Sequence, residues 1–478
     1  LVAEAGPVPR DAAGFAADLL DARLVPGARP GHPAVRTYPA RLVPGTSYLA
    51  VRGRILGGSM SVNGGYFVRA RRADFARWSA AAGDPAWSYE RVLPLLRRLE
   101  TDLDHGPGPE HGGDGPVPVR RTGLGHPAAA AFQAAARELG HPDEPDKNAQ
   151  DPPGFGPVPS NTVDGRRINT GIAYLLGATA RRPNLTVLGD CSVRSVVVGG
   201  GRASGVVVDH DGRRTILEAD EIVLAAGSLA TPHLLHLSGI GPAADLERAG
   251  ITVVHDLPAV GARLSDHPQV VVEWTPRRPM DEPSGSWLGG ALHVSSSGGD
   301  AGDLEILQSL VPIAGLIAGV PSVPGAPLPF LVSVQTPRTS GTLRTISPDA
   351  EVPPRIDYGY LSTDGDRRRM REAVRATAAV LATDAFGEVS GGPADRVPLD
   401  DDRLLDAWIR GRIGTSQHTC GTVPMGPSGA VDAQGRVHGL TGLRVADTSV
   451  LPTAPLRGPA ATAVLVGELL ADALAAGS

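Results

Sequence analysis

The sequence predicts an α/β protein built from two interleaved domains, and three observations carry that expectation. Its 478 residues are enough for a large core and more than one small domain. Three apolar runs, Leu1–Ala3, Glu221–Ala226 and Leu443–Ala446, each lead into a carboxylate or a glycine (Glu4, Gly227, Asp447). Open α/β sheets bind ligands at such strand ends. Residues 269 to about 410 then change character, with less glycine punctuation and strand-like runs at Gln269–Trp274 and Phe330–Val334.

Composition narrows the function classes. The 61 glycines and 44 prolines point to a loop-rich protein. A net charge of −6 with no basic block argues against a nucleic-acid partner, and Arg367-Arg368-Arg369 reads as a solvated helix start. Cys191 and Cys420 are too far apart to define a disulfide framework, so a reducing, cytoplasmic setting is the default expectation. No stretch reaches the ~18 apolar residues of a membrane span, and no signal peptide is visible; peripheral membrane contact stays open.

Taken in order, Glu4 occupies the place of the acidic residue that holds ribose hydroxyls at the end of the second strand of a βαβ unit. The Gly-x-Gly-x-x-Gly turn that precedes such a residue is not in the sequence, so roughly 30 residues are expected ahead of Leu1. In the run Arg52 to Arg69, Gly57, Gly58 and Gly64 expose backbone N–H groups able to cradle a pyrophosphate or a ring edge, and Asn63 can donate and accept there. Ser88 is a plausible cap for a helix whose apolar face holds Val92, Leu95, Leu96 and Leu99. From Leu99 to Gln150 the expectation is a polar surface loop over the active site. His105, His111, His126 and His141 lack metal-ligand spacing and read as solvated, and no metal is expected. Strands broken at Gly199-Gly200-Gly201 follow. Thr231 and Pro232 read as the cap and first turn of a helix. Between Pro276 and Pro329 a Gly/Ser/Ala/Pro-rich stretch suggests a roomy pocket lining, Asp366–Leu381 a helix, and Thr462–Leu474 another.

Several of these runs resemble one family. The run Gly53-Arg54-Ile55-Leu56-Gly57-Gly58-Ser59-Met60-Ser61-Val62-Asn63 is similar to the first signature of the glucose-methanol-choline (GMC) flavoprotein oxidoreductases, departing at Met60 and Val62. Gly227 to Gly241 meets every fixed position of the second signature. Asp74-Phe75-x-x-Trp78, Asp266-His267-Pro268 and His418-Thr419-Cys420-Gly421-Thr422-Val423-Pro424-Met425-Gly426 follow at the family's spacing. The resemblance implies a Rossmann-like FAD-binding domain (residues 1–70, 160–268 and 411–478, with its first βα unit missing). It is interleaved with an α+β substrate-binding domain and cap on an antiparallel sheet (71–159 and 269–410). It further implies FAD contacts from Glu4, Arg54, Gly57, Gly58, Ser59, Asn63, Gly64, Gly227, Asp447 and Pro459, and from the backbone of Val193. With no histidine near Gly57-Gly58, the FAD is expected to be held non-covalently.

The chemistry implied is oxidation of a CH–OH donor by hydride transfer to flavin N5, with His418 as the base, since a neutral imidazole suits proton removal near neutral pH. His438 is read as part of a turn and His267 as a loop cap. The second catalytic position, His or Asn in family members, falls on Gly458; Arg457 is the candidate substitute, as a cation stabilising an alkoxide, and Pro459 follows. The donor is a small-molecule alcohol or a reduced carrier, and the acceptor an unidentified carrier rather than oxygen. Gly64 to Arg69 together with Arg457 to Ala460 resemble the subgroup associated with the peptide-derived cofactor mycofactocin. A hydroxynitrile-lyase-like enzyme and a non-catalytic flavoprotein are the alternatives.

Overall fold

The computed structural model describes residues 1–177, 181–320 and 323–476. It is an α/β protein, and its largest sheet has seven strands. In spatial order they run Ser390–Pro393, Pro268–Pro276, Leu328–Val334, Leu304–Ser309, Leu288–Val294 and Phe155–Pro157, with Gly414–Thr415 also pairing Pro268–Pro276. Every pairing is antiparallel. Side chains alternate across a strand. The register therefore lines up Leu292, Ile306 and Val332 in one row and His293, Glu305 and Ser333 in the next. The apolar row packs with the helices Pro127–Glu138 and Asp364–Ala382, and Phe132, Met370 and Val374 close that core. The polar row lies on the opposite face.

Two expectations change here. The Pro276–Pro329 stretch holds the strands Leu288–Val294 and Leu304–Ser309, buried but for Val294, while Pro276, Met280, Pro283, Pro312, Gly315 and Pro324 from the rest of it line a surface pocket of about 290 Å³. Leu99–Gln150 is more than a loop. His126 accepts from Ala128 N at 3.2 Å and starts the Pro127–Glu138 helix, whose alanines face the core. The Asp364–Ala382 helix spans the expected segment, with the Thr363 side chain capping Asp366 N. The C-terminal helix is Ala460–Ala476.

A second correction concerns the helix after the apolar strand. It begins at Gly227, so Thr231 and Pro232 lie in its interior. A proline there cannot donate to the carbonyl four residues back. That carbonyl, of Ser228, accepts the Thr422 hydroxyl at 2.7 Å instead. Ser88 stands at the N-cap of Tyr89–Arg98 without a side-chain cap bond.

The four histidines are not all solvated. His111 is buried, with Nδ1 3.0 Å from both Glu100 and Asp102 and Nε2 2.6 Å from Asp146. His105 stacks on it. Arg121 bonds both Asp102 and Asp146, so a guanidinium fills the centre that these converging donors would otherwise offer a cation. Burial pulls the His111 value down, but its bonds to Asp102, Asp146 and Glu100 outweigh that and lift it to about 10. A raised folded value means stabilisation that is complete below the ordinary ~6.5 and lost as pH climbs through the folded value. Urea midpoints are therefore expected to decline from neutral pH toward about 10, and His111→Gln to flatten that decline. Identical slopes in the two proteins would show that the network carries no such linkage.

Candidate active site

Two parallel strand pairs carry the strand-end positions expected to meet a dinucleotide: Val2–Ala3 with Val187–Leu188, and Ile222–Leu224 with Leu443–Val445. Glu4 ends the first pair; its carboxylate accepts from Gly6 N at 2.8 Å, and burial raises its pKa. Arg54 ties this turn through Nε to the Ala5 carbonyl at 3.0 Å, and a Cβ on Gly6 would strike the Arg54 carbonyl at 2.0 Å. Gly57 has φ +87°, and a Cβ there would lie 2.7 Å from Ser61 and 2.8 Å from Asn169. Ser59 accepts from Gly53 N, and Asn63 from Gly65 N. Val193 lies in the strand Ser192–Gly199, opposite Val208.

At the second pair, Asp447 has no carboxylate oxygen without a protein partner. Oδ2 accepts from Gly227 N at 2.9 Å and Thr231 Oγ1 at 2.6 Å, and Oδ1 from Ser449 N at 2.8 Å. Its task is to lock the two strand ends together. Gly64 also has a packing explanation: a Cβ would lie 2.7 Å from the Trp287 ring, whose Nε1 donates to the Gly64 carbonyl. Gly58 and Gly227, at φ +54° and +87°, differ, because a Cβ on either would meet nothing within 4 Å. With exposed Ala225 and Ala226 they border open space at the strand ends. Small residues, free backbone and the strand-end carboxylate of Glu4 fit a flavin dinucleotide.

The histidines form a second cluster. Asp266 takes the backbone N–H of His418 at 2.8 Å, that of His267 at 2.7 Å and the Thr419 hydroxyl at 2.6 Å. Gln417 turns through φ +61°, held by its Oε1 accepting from Val51 N and Arg52. The rings meet Nδ1 to Nδ1 at 2.9 Å, and His267 Nε2 lies 2.8 Å from the Pro455 carbonyl. A carbonyl only accepts, so His267 carries its proton on Nε2 and accepts at Nδ1. His418 must then donate from Nδ1, which leaves Nε2 bare. Burial first, then His267 and Arg52, push His418 down to about 3, against the pull of Glu305. His418 as a residue is half-buried.

The loop before Gly458 is fixed residue by residue. Trp78 Nε1 donates to Thr453 O, Ala454 N to Ser265 Oγ, and Leu456 N to both Asp74 oxygens at 3.0 Å. A Cβ on Gly458 would stand 3.4 Å from His418 Cε1 and 3.5 Å from Nε2, so this position flanks the bare nitrogen. Arg457 does not take that place. Its guanidinium is wholly buried, donates to the carbonyls of Gly302 and Leu456, and faces Glu144 at 3.7 Å, which corrects the expected alkoxide-binding cation. The Pro459 carbonyl accepts from Ala463 N at the start of the last helix. Two surface pockets of about 290 and 310 Å³ are lined by other segments and include none of these residues.

Two family profiles described as GMC oxidoreductase match residues 35–269 and 337–467. The chain belongs to the GMC oxidoreductase family. It is 40% identical over 441 residues to an uncharacterized GMC-type oxidoreductase of Rhodococcus erythropolis, spanning 90% of this chain and 84% of that one. It is 33% identical over 456 residues to an oxygen-dependent choline dehydrogenase of Photobacterium profundum, spanning 88% and 79%. Its fold superposes on crystalline pyridoxine 4-oxidase from Mesorbium loti with a TM-score of 0.90 and 27% identity, over 98% and 93% of the chains. As a GMC oxidoreductase it is an FAD-dependent, alcohol-oxidising enzyme. His267, Asp266 and Asp74 were visible in the sequence as motif residues, but their partners lie far along the chain and their positioning roles were not.

A buried donor left without its acceptor costs ~1–3 kcal/mol. Asp447→Ala leaves three such donors at the strand ends, and FAD retention is expected to fall ~10-fold or more. Flavin fluorescence in the filtrate after dilution measures it, and wild-type retention would remove Asp447 from the binding framework.

Proposed function

We propose that this GMC enzyme oxidises a small-molecule alcohol with His418 Nε2 as the base that takes the hydroxyl proton. The observation that carries this is the one-way hydrogen-bond chain His418 to His267 to the Pro455 carbonyl, which leaves Nε2 as the acceptor beside Gly458. Bound FAD supplies the hydride acceptor for the carbinol carbon. Glu4, Arg54, Gly57, Gly58, Ser59 and Gly227 would hold it, with Val193 and Pro459 contributing backbone. His267 and Asp266 hold the base in register. Gly458 offers no second donor to the substrate oxygen, leaving room for a bulkier carbinol substituent or a water there.

On the acceptor side we favour a carrier over dioxygen, and the similarity of Gly64–Arg69 and Arg457–Ala460 to the mycofactocin-associated subgroup adds a reduced peptide-derived cofactor to the candidate donors. Air and a dye acceptor such as dichlorophenolindophenol, compared on the reduced enzyme, test this; faster reoxidation by air rejects it.

The central test is anaerobic bleaching of the flavin band by choline, benzyl alcohol, pyridoxine and a reduced mycofactocin-type donor. His418→Asn is expected to slow bleaching by ~10²–10⁴-fold. A bound flavin that none of these bleaches rejects the proposal. Since His418 is held down to about 3, its ring stays neutral well below the ordinary histidine range, and the bleaching rate is expected to show no acid limb above about pH 5. A limb centred near 6.5 would show a base in an ordinary environment. Gly458→Asn places a donor beside Nε2 and is expected to raise the rate ~10-fold or more, as one preorganised donor does elsewhere. An unchanged or lower rate would mean that the open space is itself used.

A further inference from the structure

Six described residues other than glycine take a positive φ, and Gln417, at +61°, is the one that directly precedes His418. Three of the others are aspartates, whose short polar side chains make this region tolerable. A glutamine has no such local bond to offer. Backbone of this kind persists only where the surrounding contacts force it, and it gathers at functional sites.

Here the forcing contacts are hydrogen bonds drawn from two directions. On the backbone, Gln417 N donates to Thr415 Oγ1 at 2.9 Å, Ser416 N to the His267 carbonyl at 3.1 Å, and His418 N to Asp266 Oδ1 at 2.8 Å. On the side chain, Gln417 Oε1 accepts from Val51 N at 3.0 Å and Arg52 Nη1 at 3.1 Å, and Nε2 reaches Tyr48 Oη at 3.4 Å. The same guanidinium donates through Nη2 to Thr419 Oγ1 at 2.6 Å, so Arg52 holds the residues on both sides of His418.

Val51 and Arg52 belong to the strand Ser47–Gly53, the edge of its four-stranded sheet, where a backbone N–H has no further strand to meet. The Gln417 amide oxygen takes the place of a strand carbonyl there. The strand then ends against the Gly57-Gly58 turn: a Cβ on Gly53 would lie 2.2 Å from the Gly58 carbonyl oxygen, and Gly53 N donates to Ser59 Oγ at 3.1 Å. One continuous series of contacts therefore runs from the His418 loop through Gln417 to the glycines that would hold the flavin.

We propose that Gln417 is a positioning residue that registers the His418 base against the flavin-binding turn, its backbone aiming the imidazole and its amide oxygen fixing the loop to the strand that carries that turn. This rests on His418 acting as the base. The need is one of distance: an alcohol must meet the flavin and Nε2 at once, and these are held by segments from opposite ends of the chain. A misplacement of ~1 Å in such an arrangement costs ~10²-fold in rate. Asp266 and His267 do not supply this register, because among the described residues their hydrogen bonds reach no residue of the Ser47–Ser59 segment.

Gln417→Asn isolates the side-chain tie, since asparagine accepts a positive φ more readily than glutamine but its amide falls one methylene short of the strand. In the flavin-loaded enzyme the limiting rate of anaerobic bleaching by choline or benzyl alcohol is expected to fall ~10-fold or more, with the half-saturating alcohol concentration and flavin retention near wild type. Gln417→Glu keeps an oxygen for Val51 N and Arg52 and is expected to bleach at close to the wild-type rate. A readout that needs no turnover is the N–H shared by His418 and His267, a downfield ¹H line in ¹⁵N-histidine-labelled protein. Gln417→Asn is expected to shift or broaden it, whereas a tie with no bearing on the base would leave it in place. An Asn variant with wild-type bleaching, a Glu variant as slow as the Asn one, or an undisturbed N–H line overturns the proposal. If neither alcohol bleaches the wild-type flavin, it is the base assignment that fails, and the N–H line then decides whether Gln417 positions the ring.

Discussion

One buried carboxylate sets the geometry on which the site depends. Asp266 binds the backbone N–H groups of His267 and His418 and the Thr419 hydroxyl, so two loops 152 residues apart in sequence are held against one side chain. An ionised carboxylate inside a protein is tolerated only when its oxygens are met by donors. Those donors come from the His267 and His418 loops themselves, so meeting the buried carboxylate and fixing the two rings are the same event. Once both backbones are fixed, the rings meet at 2.9 Å, and the Pro455 carbonyl then dictates which nitrogen carries which proton.

A second carboxylate repeats the device. Asp74, in the helix Arg72–Ala82, takes the N–H of Leu456 with both oxygens, and Trp78 from the next turn takes the Thr453 carbonyl. The segment that ends at Gly458 is therefore tied to a helix more than three hundred residues earlier and, through Pro455, to His267. Rigid support of this kind holds the Gly458 segment and the paired histidine rings in one geometry. It also explains why a position without a side chain can still be well defined: Gly458 is placed by its neighbours' bonds.

These long-range ties mark where the sequence was legible. The strand and helix at Leu443–Val445 and Ala460–Ala476, the Gly227 turn and the His418 loop could be read because apolar periodicity and glycine spacing are local signals. Thr231 looked like a cap because threonine before proline usually is one; Asp447, more than two hundred residues later, gives its hydroxyl an interior use. His111 looked solvated in a polar stretch, yet Asp146 and Arg121 gather round it only in the fold. Arg457 read as a cation for the substrate oxygen, and the structure instead buries it against Gly302 and Glu144. The alternation that places Glu305 and His293 on one face was hidden because both faces of their strands are buried.

Burial acts on the titratable groups of both the His418 loop and the polar face of the large sheet. A histidine held down to about 3 is always ready to accept a proton and is a poor place to keep one. Around His418 the fixed cations are arginines, which cannot lose or regain protons under working conditions. Lys147 breaks that pattern at the one point where Glu144 and Arg457 oppose each other and His293 leads back to Glu305. The same burial lowers the proton affinity of both groups, His418 to about 3 and Lys147 to about 8.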